Sequence, residues 1–256
     1  VVAAALGLYL PGYSLLANLW FLFWFACVAL LLWRRSVEMN PPSQSKGKPA
    51  MSNSKERTLR LSLFAAVYFL EGAVLTYFTA FNVLYLRSFD LSYSLIGIVG
   101  GITLLPFILK IFIGLLSDRG NLFKQGHRKP YIVLGLVLQT LAFLLLPFFN
   151  PGNQFNLYLT LMVLVALGMS TYDTTTDGLS IDTTPAEDRG LVQGLMVGGR
   201  ALSMILTAVL MGMFAERGQW VNIFYLIAGL GVLTLVLSFM VQEKKERAPE
   251  MQFSKA

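Results

Sequence analysis

Long apolar blocks separated by short polar segments fill most of the sequence. A helix needs about 20 mostly apolar residues to cross the hydrocarbon core of a bilayer, and the blocks reach that length. None of them keeps the strict alternation of apolar and polar residues that a transmembrane β-barrel requires. The pattern predicts an all-α polytopic membrane protein with seven spanning helices, near residues 13–33, 61–86, 92–116, 130–149, 155–182, 185–214 and 221–241.

The composition agrees with this prediction and excludes several classes of protein. Of the 256 residues, 55% are hydrophobic and only 13% are charged, whereas a soluble domain carries about 25% charged residues. A soluble enzyme and a nucleic-acid-binding module are therefore excluded. Cys27 is the single cysteine, so this sequence forms no intrachain disulfide and is not a disulfide-stapled secreted domain.

The distribution of lysine and arginine predicts which side of the membrane each loop faces. Arg87 and Arg217 lie in loops on one side, Lys110 and Arg200 lie inside predicted helices, and all the others lie on the opposite side. Cytoplasmic loops collect Lys and Arg. We therefore predict a multi-pass protein of the inner (plasma) membrane, with the linker 36–60 and the C-terminal tail in the cytoplasm. The net charge of +6 then follows from topology and needs no nucleic-acid partner.

The polar segments divide the chain into four parts. Residues 36–60 contain prolines, serines and lysines with little to bury, so they are predicted to form a flexible cytoplasmic linker. The linker separates an N-terminal transmembrane helix or anchor, residues 1–35, from a six-helix unit, residues 61–242. A charged cytoplasmic tail, residues 243–256, follows the unit.

Two local patterns predict details of the sixth apolar block. The run from Thr184 to Glu187 has the form of a capping box with proline at the first helical position, and it predicts the start of a helix. Glycines then recur every fourth residue, a spacing typical of close packing between membrane helices. These glycines are Gly190, Gly194 and Gly198.

Four ionisable residues lie deep inside four different predicted helices. They are Glu71, Lys110, Asp173 and Arg200. Each lies eight to eleven residues from a charged residue at the cytoplasmic helix end, which at ~1.5 Å per residue is roughly 12–16 Å deep. Charges inside a membrane are costly and indicate function by default. Two interpretations remain open: a buried salt-bridge network that orders the bundle, or a polar cavity that binds a substrate and a proton.

The cavity interpretation gives these residues different roles. Lys110 and Arg200 are predicted to hold an anionic group of the substrate, and Asp173 is predicted to line the same site. Glu71 has no basic neighbour in the sequence, and a carboxylate held away from water is suited to exchanging protons. It is therefore the predicted proton carrier.

Two further aspartates are predicted to form structural ion pairs. Asp177 follows Asp173 by four residues, so both lie on one face of a helix, and Asp182 ends the same block. The sequence contains no metal-ligand spacing, nucleophile motif or dinucleotide fingerprint. We therefore predict that the protein is not an enzyme and that it holds no metal or other cofactor.

A cytoplasmic motif resembles a signature of the major facilitator superfamily. Gly114-Leu-Leu-Ser-Asp118-Arg119, followed after a long spacer by Gly126-His-Arg128-Lys129, is similar to the family pattern between its second and third helices. Pro106-Phe-Ile-Leu-Lys110 and the segment 176–190 are similar to the folate–biopterin transporter-like branch. Segments near residues 60 and 128 also resemble the bacteriochlorophyll-delivery group. The resemblance covers residues 58–246.

The resemblance implies a fold and a role for the chain. It implies the N-terminal six-helix lobe, with its first, second, fourth and fifth helices lining a cavity, and it assigns gating to Gly114, Asp118, Arg119 and Arg128. We therefore predict a proton-linked (symport) transporter lobe for a small organic anion. It would act by alternating access with a second six-helix lobe from the same gene, a second chain or a second copy.

A different function remains open. The chain would then be a non-transporting structural or assembly subunit of a larger membrane complex, such as one that assembles pigment or light-harvesting proteins.

Overall fold

The computed structural model describes residues 54–119 and 127–241. The predicted N-terminal helix, the linker up to residue 53, the loop 120–126 and the tail from residue 242 lie outside the described residues. The described ranges are helical and contain no strand. The α-helices are α1 (Ser54–Thr76), α2 (Asn82–Arg87), α3 (Tyr93–Ile108), α4 (Lys110–Arg119), α5 (Lys129–Leu145), α6 (Phe155–Thr183), α7 (Arg189–Glu216) and α8 (Trp220–Met240).

Six helical segments within the described ranges are long and apolar enough to cross a membrane. In chain order, spans 1 to 6 are Glu56–Arg87, Tyr93–Ser117, Lys129–Phe148, Phe155–Thr183, Ala186–Glu216 and Trp220–Met240. Spans 2 to 6 begin and end within two residues of the predicted boundaries, whereas span 1 begins five residues earlier. The prediction of an all-α membrane protein with a six-helix unit is confirmed.

The core forms where spans 3 and 4 pack along each other. Gly135 and Gly168 face each other there, and a Cβ atom on Gly168 would lie 2.6 Å from the Gly135 carbonyl oxygen. The two backbones therefore touch, because neither position carries a side chain. Span 1 packs mainly on span 5, and span 6 covers spans 1 and 3.

A π-helical segment, Tyr77–Phe81, interrupts span 1 between α1 and α2. The Asn82 amide donates to the Tyr77 carbonyl five residues before it. The Tyr158 hydroxyl donates to Asn82 Oδ1 at 2.7 Å and lies 2.9 Å from the Tyr77 hydroxyl. Tyr158 donates its single hydroxyl proton to Asn82, so Tyr77 is the donor in the hydrogen bond between the two tyrosines. This buried chain ties span 1 to span 4.

One expectation about span 5 was wrong. Thr184 does not cap this span, because α6 runs to Thr183 and Thr184 is the extended residue that ends it. Span 5 instead opens with a 3-10 turn, Ala186–Asp188, without a side-chain cap.

The glycine stripe of span 5 packs against none of the other described helices. A Cβ atom on any of its three members would meet nothing within 4 Å in the described part of the chain. These members are Gly190, Gly194 and Gly198. The close approach to span 1 uses Gly199 instead, where an added Cβ atom would lie 3.3 Å from the Ala65 carbonyl oxygen.

Candidate functional site

Six side chains from spans 1, 2, 4 and 5 form one network, which we call the central cluster. Its members are Tyr68, Glu71, Lys110, Asp173, Asp177 and Arg200. The four charged residues predicted to share one depth are all among them. Tyr68 was not predicted, although it lies three residues before Glu71 and hence on the same face of the helix.

The first pair in the central cluster joins spans 1 and 5. The Arg200 guanidinium donates from Nη1 to Glu71 Oε1 at 2.9 Å. Gly72 makes this approach possible, because a Cβ atom there would lie 2.5 Å from the Arg200 carbonyl oxygen and 2.8 Å from Ser203 Cβ. The absence of a side chain beside Glu71 therefore brings the two charged groups within hydrogen-bonding distance.

The second pair joins spans 2 and 4. The Lys110 ammonium forms an ion pair with Asp173 and lies 5.4 Å from the centre of the Phe107 ring. Leu109 is a turn residue that separates α3 from α4. Pro106 lies just before it and provides no amide proton for the helix. Lys110 therefore begins a new helical segment at the point where it meets span 4.

Tyr68 connects the first pair to Asp177. Its hydroxyl donates to the Asp177 carboxylate, and the Arg200 guanidinium carbon lies 5.0 Å from the centre of its ring. Asp177 is one helical turn from Asp173, so the two carboxylates lie on one face of α6. Asp177 was predicted to form an ion pair, but its hydrogen-bond partner in the structure is this neutral phenol.

The two kinds of charge in the central cluster differ in accessibility. The side chains of Glu71 and Asp173 are only 4% and 6% exposed, whereas those of Lys110 and Arg200 are each 33% exposed. Each buried carboxylate is thus paired with a more exposed cation. Glu71 Oε2 is buried and has no hydrogen-bond partner among the described residues. An anion could therefore reach either cation without entering the protein interior.

Of the residues predicted to act in gating, Arg128 lies at one end of the bundle. Arg128 donates from Nε to Asp182 Oδ2 at 2.6 Å, which joins the start of span 3 to the end of span 4. Gly114 faces span 4, where an added Cβ atom would lie 3.5 Å from Thr174 Cγ2. The side chains of Asp118 and Arg119 lie outside the described part of the structure.

Lys129 reinforces the same end of the bundle. Its ammonium donates to the carbonyl oxygens of Val241 at 2.5 Å and Phe239 at 3.4 Å. These carbonyl groups end span 6, where a helix lacks its own amide partners and attracts positive charge. The start of span 3 therefore holds the ends of both span 4 and span 6.

Gly178 leaves the space that the Arg128 guanidinium occupies, because a Cβ atom there would overlap it. We expect Gly178→Ala to displace the guanidinium from Asp182 and to lower the free energy of unfolding by about 1 kcal/mol, since a flexible side chain can move away. Thermal unfolding of the purified protein in detergent would measure this. Gly212→Ala is the control, because an added Cβ atom meets nothing there. Equal stability of both variants would contradict the expectation.

The central cluster contains three carboxylates, but it is not arranged as a metal centre. Among the described residues, no three His, Cys, Asp or Glu side chains are placed to hold a metal ion together. Two of the three carboxylates are paired with cations in the chain instead. The chemistry of the site is therefore that of ion pairing and hydrogen bonding.

Comparison with known proteins places the chain in a family. The Major Facilitator Superfamily model matches residues 64–255. Protein PucC from Rhodovulum sulfidophilum is 28% identical over 203 residues, which are 74% of this chain and 44% of that protein. The folate-biopterin transporter of Synechocystis is 26% identical over 181 residues, 70% of this chain and 36% of that protein.

A third relative is the anhydromuropeptide permease of Escherichia coli. It is 24% identical over 144 residues, which are 56% of this chain and 29% of the permease. The chain thus spans less than half the length of each of these relatives. None of the three names denotes an enzyme. The family model covers most of the sequence and the six spans, and the chain therefore belongs to the Major Facilitator Superfamily.

Proposed function

We propose that the chain provides one six-helix lobe of a secondary transporter that moves a small organic anion together with a proton. One observation carries the proposal. Lys110 and Arg200 are each held by a buried carboxylate inside a span, yet each is one-third exposed. A cation positioned in this way can bind an anionic group of a substrate without a large change in its own conformation.

The pair of Glu71 and Arg200 suggests how a proton would be coupled to the anion. A proton on Glu71 removes the negative charge that holds the guanidinium, so Arg200 gains affinity for another anion. By linkage, a bound anion favours the proton on Glu71 to the same extent. The other charged groups around Glu71 are Asp173, Lys110 and Asp177. The arrangement therefore favours binding of the proton and the anion together.

The exposed faces of spans 2 and 5 support the presence of a second lobe. Only 22% of the most apolar stretch in each of these spans is buried, compared with 61% in span 1. The unpacked glycines of span 5 lie on such a face and leave room for another helix to approach. The partner lobe would come from the same polypeptide, a second chain or a second copy. Rocking of the two lobes would then alternate access to the central cluster.

The uptake experiment that tests the proposal uses full-length protein in liposomes with an imposed pH gradient. Labelled folate, biopterin and anhydromuropeptide are suitable probes because relatives are named for them. We expect Glu71→Gln to lower pH-driven uptake at least tenfold and to leave exchange at equal pH intact, because the neutral amide cannot carry a proton. Glu216→Gln, at an exposed carboxylate that ends span 5, is the control. Undiminished uptake in Glu71→Gln would remove Glu71 from the mechanism.

A second candidate function is a structural or assembly subunit that no longer transports. The observation in its favour is that both cations of the central cluster already have carboxylate partners within the chain. Native mass spectrometry in mild detergent, with an absorption spectrum, separates the two functions. A colourless two-lobe species favours transport, whereas a large assembly with bound pigment favours the second candidate.

A further inference from the structure

The central cluster contains one more carboxylate than it has cations. Within the described spans, Glu71 is paired with Arg200 and Asp173 with Lys110. Asp177 is left with the Tyr68 hydroxyl, which carries no charge. We infer that the site takes a zwitterionic ligand, whose anionic group binds at Lys110 and Arg200 and whose ammonium group binds at Asp177. The inference rests on the proposed function and narrows its substrate class.

The exposure of each charged side chain determines whether a ligand can contact it. Glu71 and Asp173 are almost fully buried, whereas Lys110 and Arg200 are each one-third exposed and Asp177 is half-buried. The reachable groups are therefore two cations and one carboxylate. Tyr68 holds Asp177 near Arg200, because its hydroxyl contacts the carboxylate while its ring lies under the guanidinium. A ligand in this site faces both signs of charge at short range.

Leaving the Asp177 carboxylate without a cation inside a span is energetically unfavourable. A charge inside a membrane needs a partner, and a second carboxylate one helical turn away, here Asp173, adds repulsion. A phenol hydroxyl supplies one hydrogen bond but no positive charge. Glu71 Oε2 is a further acceptor in the cluster that has no hydrogen-bond partner among the described residues. An ammonium group supplies three donors and the missing positive charge.

The charge of the loaded site also favours a zwitterion over a simple anion. With the proton of the proposed mechanism on Glu71, the remaining two carboxylates balance the two cations. A ligand without net charge keeps the site neutral, whereas a simple anion leaves one uncompensated negative charge inside the membrane. Since such a charge is expensive, a matched anion without an ammonium group should bind less tightly.

Short peptides test this inference because blocking either end changes one charge and little else. Thermal stabilisation of the full-length protein in detergent is measured with alanine peptides of two to four residues at millimolar concentration. The peptides have free ends, an acetylated amino end or an amidated carboxyl end. The different lengths sample different separations between the two charges. We expect the free peptide of best length to bind at least tenfold more tightly than both of its blocked forms.

Variants then assign the ammonium contact. In Asp177→Asn, the free peptide should bind no more tightly than the acetylated one, whose own affinity should not fall because the variant removes a negative charge from the site. Tyr68→Phe removes the competing hydroxyl donor and should keep the preference for free peptides. Asp90→Asn, in a loop outside the spans, is the matched control. It is well tolerated, because asparagine readily adopts the positive φ of this residue.

The experiment distinguishes a failure of the zwitterion inference from a failure of the proposed function. Equal binding of free and acetylated peptides, or a preference that survives in Asp177→Asn, would overturn the inference and leave the anion site of the proposed function standing. If no form of any peptide stabilised the parent protein, that result would count against the binding site itself, and hence against both proposals. The comparison of peptide forms needs only the parent protein, so a variant that failed to fold would not prevent the decision.

Discussion

Gly168→Ala should destabilise the six-helix bundle by about 1–3 kcal/mol, although alanine is the better helix former by about 1 kcal/mol. An added Cβ atom would lie 2.6 Å from the Gly135 carbonyl oxygen and 2.8 Å from the Gln139 amide nitrogen. Both are backbone atoms and cannot rotate away. Spans 3 and 4 would have to separate along the most extensive helix contact of the described chain. The midpoint of thermal unfolding in detergent measures the effect.

Gly229→Ala is the matched control for this prediction. Gly229 lies in span 6, and an added Cβ atom there would meet nothing within 4 Å. The control should therefore be as stable as the parent or slightly more so, because alanine favours the helix. If Gly168→Ala unfolded at the same temperature as Gly229→Ala, the close approach of spans 3 and 4 would not exist as described.

A double variant shows whether the two glycines act at one contact. Gly135→Ala meets the Gly168 carbonyl oxygen at 2.6 Å, so each substitution pushes the same two spans apart. Once one substitution has moved spans 3 and 4 apart, the second should lower the free energy of unfolding by a smaller amount. The combined loss should therefore be smaller than the sum of the single losses. Strict additivity would indicate that the two substitutions strain different parts of the bundle.

The second large effect is expected at the ion pair between Glu71 of span 1 and Arg200 of span 5. Arg200→Met should lower the free energy of unfolding by about 3–5 kcal/mol, because it leaves the buried carboxylate of Glu71 without its partner. Glu71→Met combined with Arg200→Met should recover most of that loss, because two apolar side chains replace the pair at similar volume. Thermal unfolding of the single and double variants measures both changes.

The double variant also separates the two interpretations of the central cluster. If the pair only orders the bundle, the double variant should be stable and should transport at the parent rate. If the pair binds substrate and proton, the double variant should be stable and inactive in the pH-driven uptake assay. Asp188→Asn measures an ordinary ion pair near the surface, because it removes the negative charge from a contact with Arg57 at 3.1 Å. It should change stability by about 1 kcal/mol or less.

The sequence predicted the spans well because their signal is local. An apolar block long enough to cross a bilayer is visible without knowledge of its neighbours, and so is a charge at a given depth. The sequence did not show which charges would pair. Glu71 meets Arg200 rather than Lys110 because Gly72 lets span 5 approach span 1. That approach depends on the rotation of both helices.

Two other misses have the same origin. Tyr68 was overlooked because a phenol in an apolar block looks like a core residue, and only Asp177 and Arg200 on other spans give it a place in the site. Glycine spacing marks a helix face that can be approached closely but not the helix that approaches it. The regular stripe in span 5 therefore stands open, whereas the isolated Gly135 and Gly168 form a close contact between two backbones.

The π-helical segment of span 1 has a consequence for exchanging parts between relatives. An α-helix turns by about 100° per residue, and the extra residue in Tyr77–Phe81 changes the rotational phase between the two halves of the span. The half before this segment sets the direction of Glu71, and the half after it sets that of Asn82. In a chimaera that joined these halves through a regular helix, one of these two side chains would still face its partner. The other would be rotated away from its partner. The number of residues between Glu71 and Asn82 is therefore as much a part of the site as their identities.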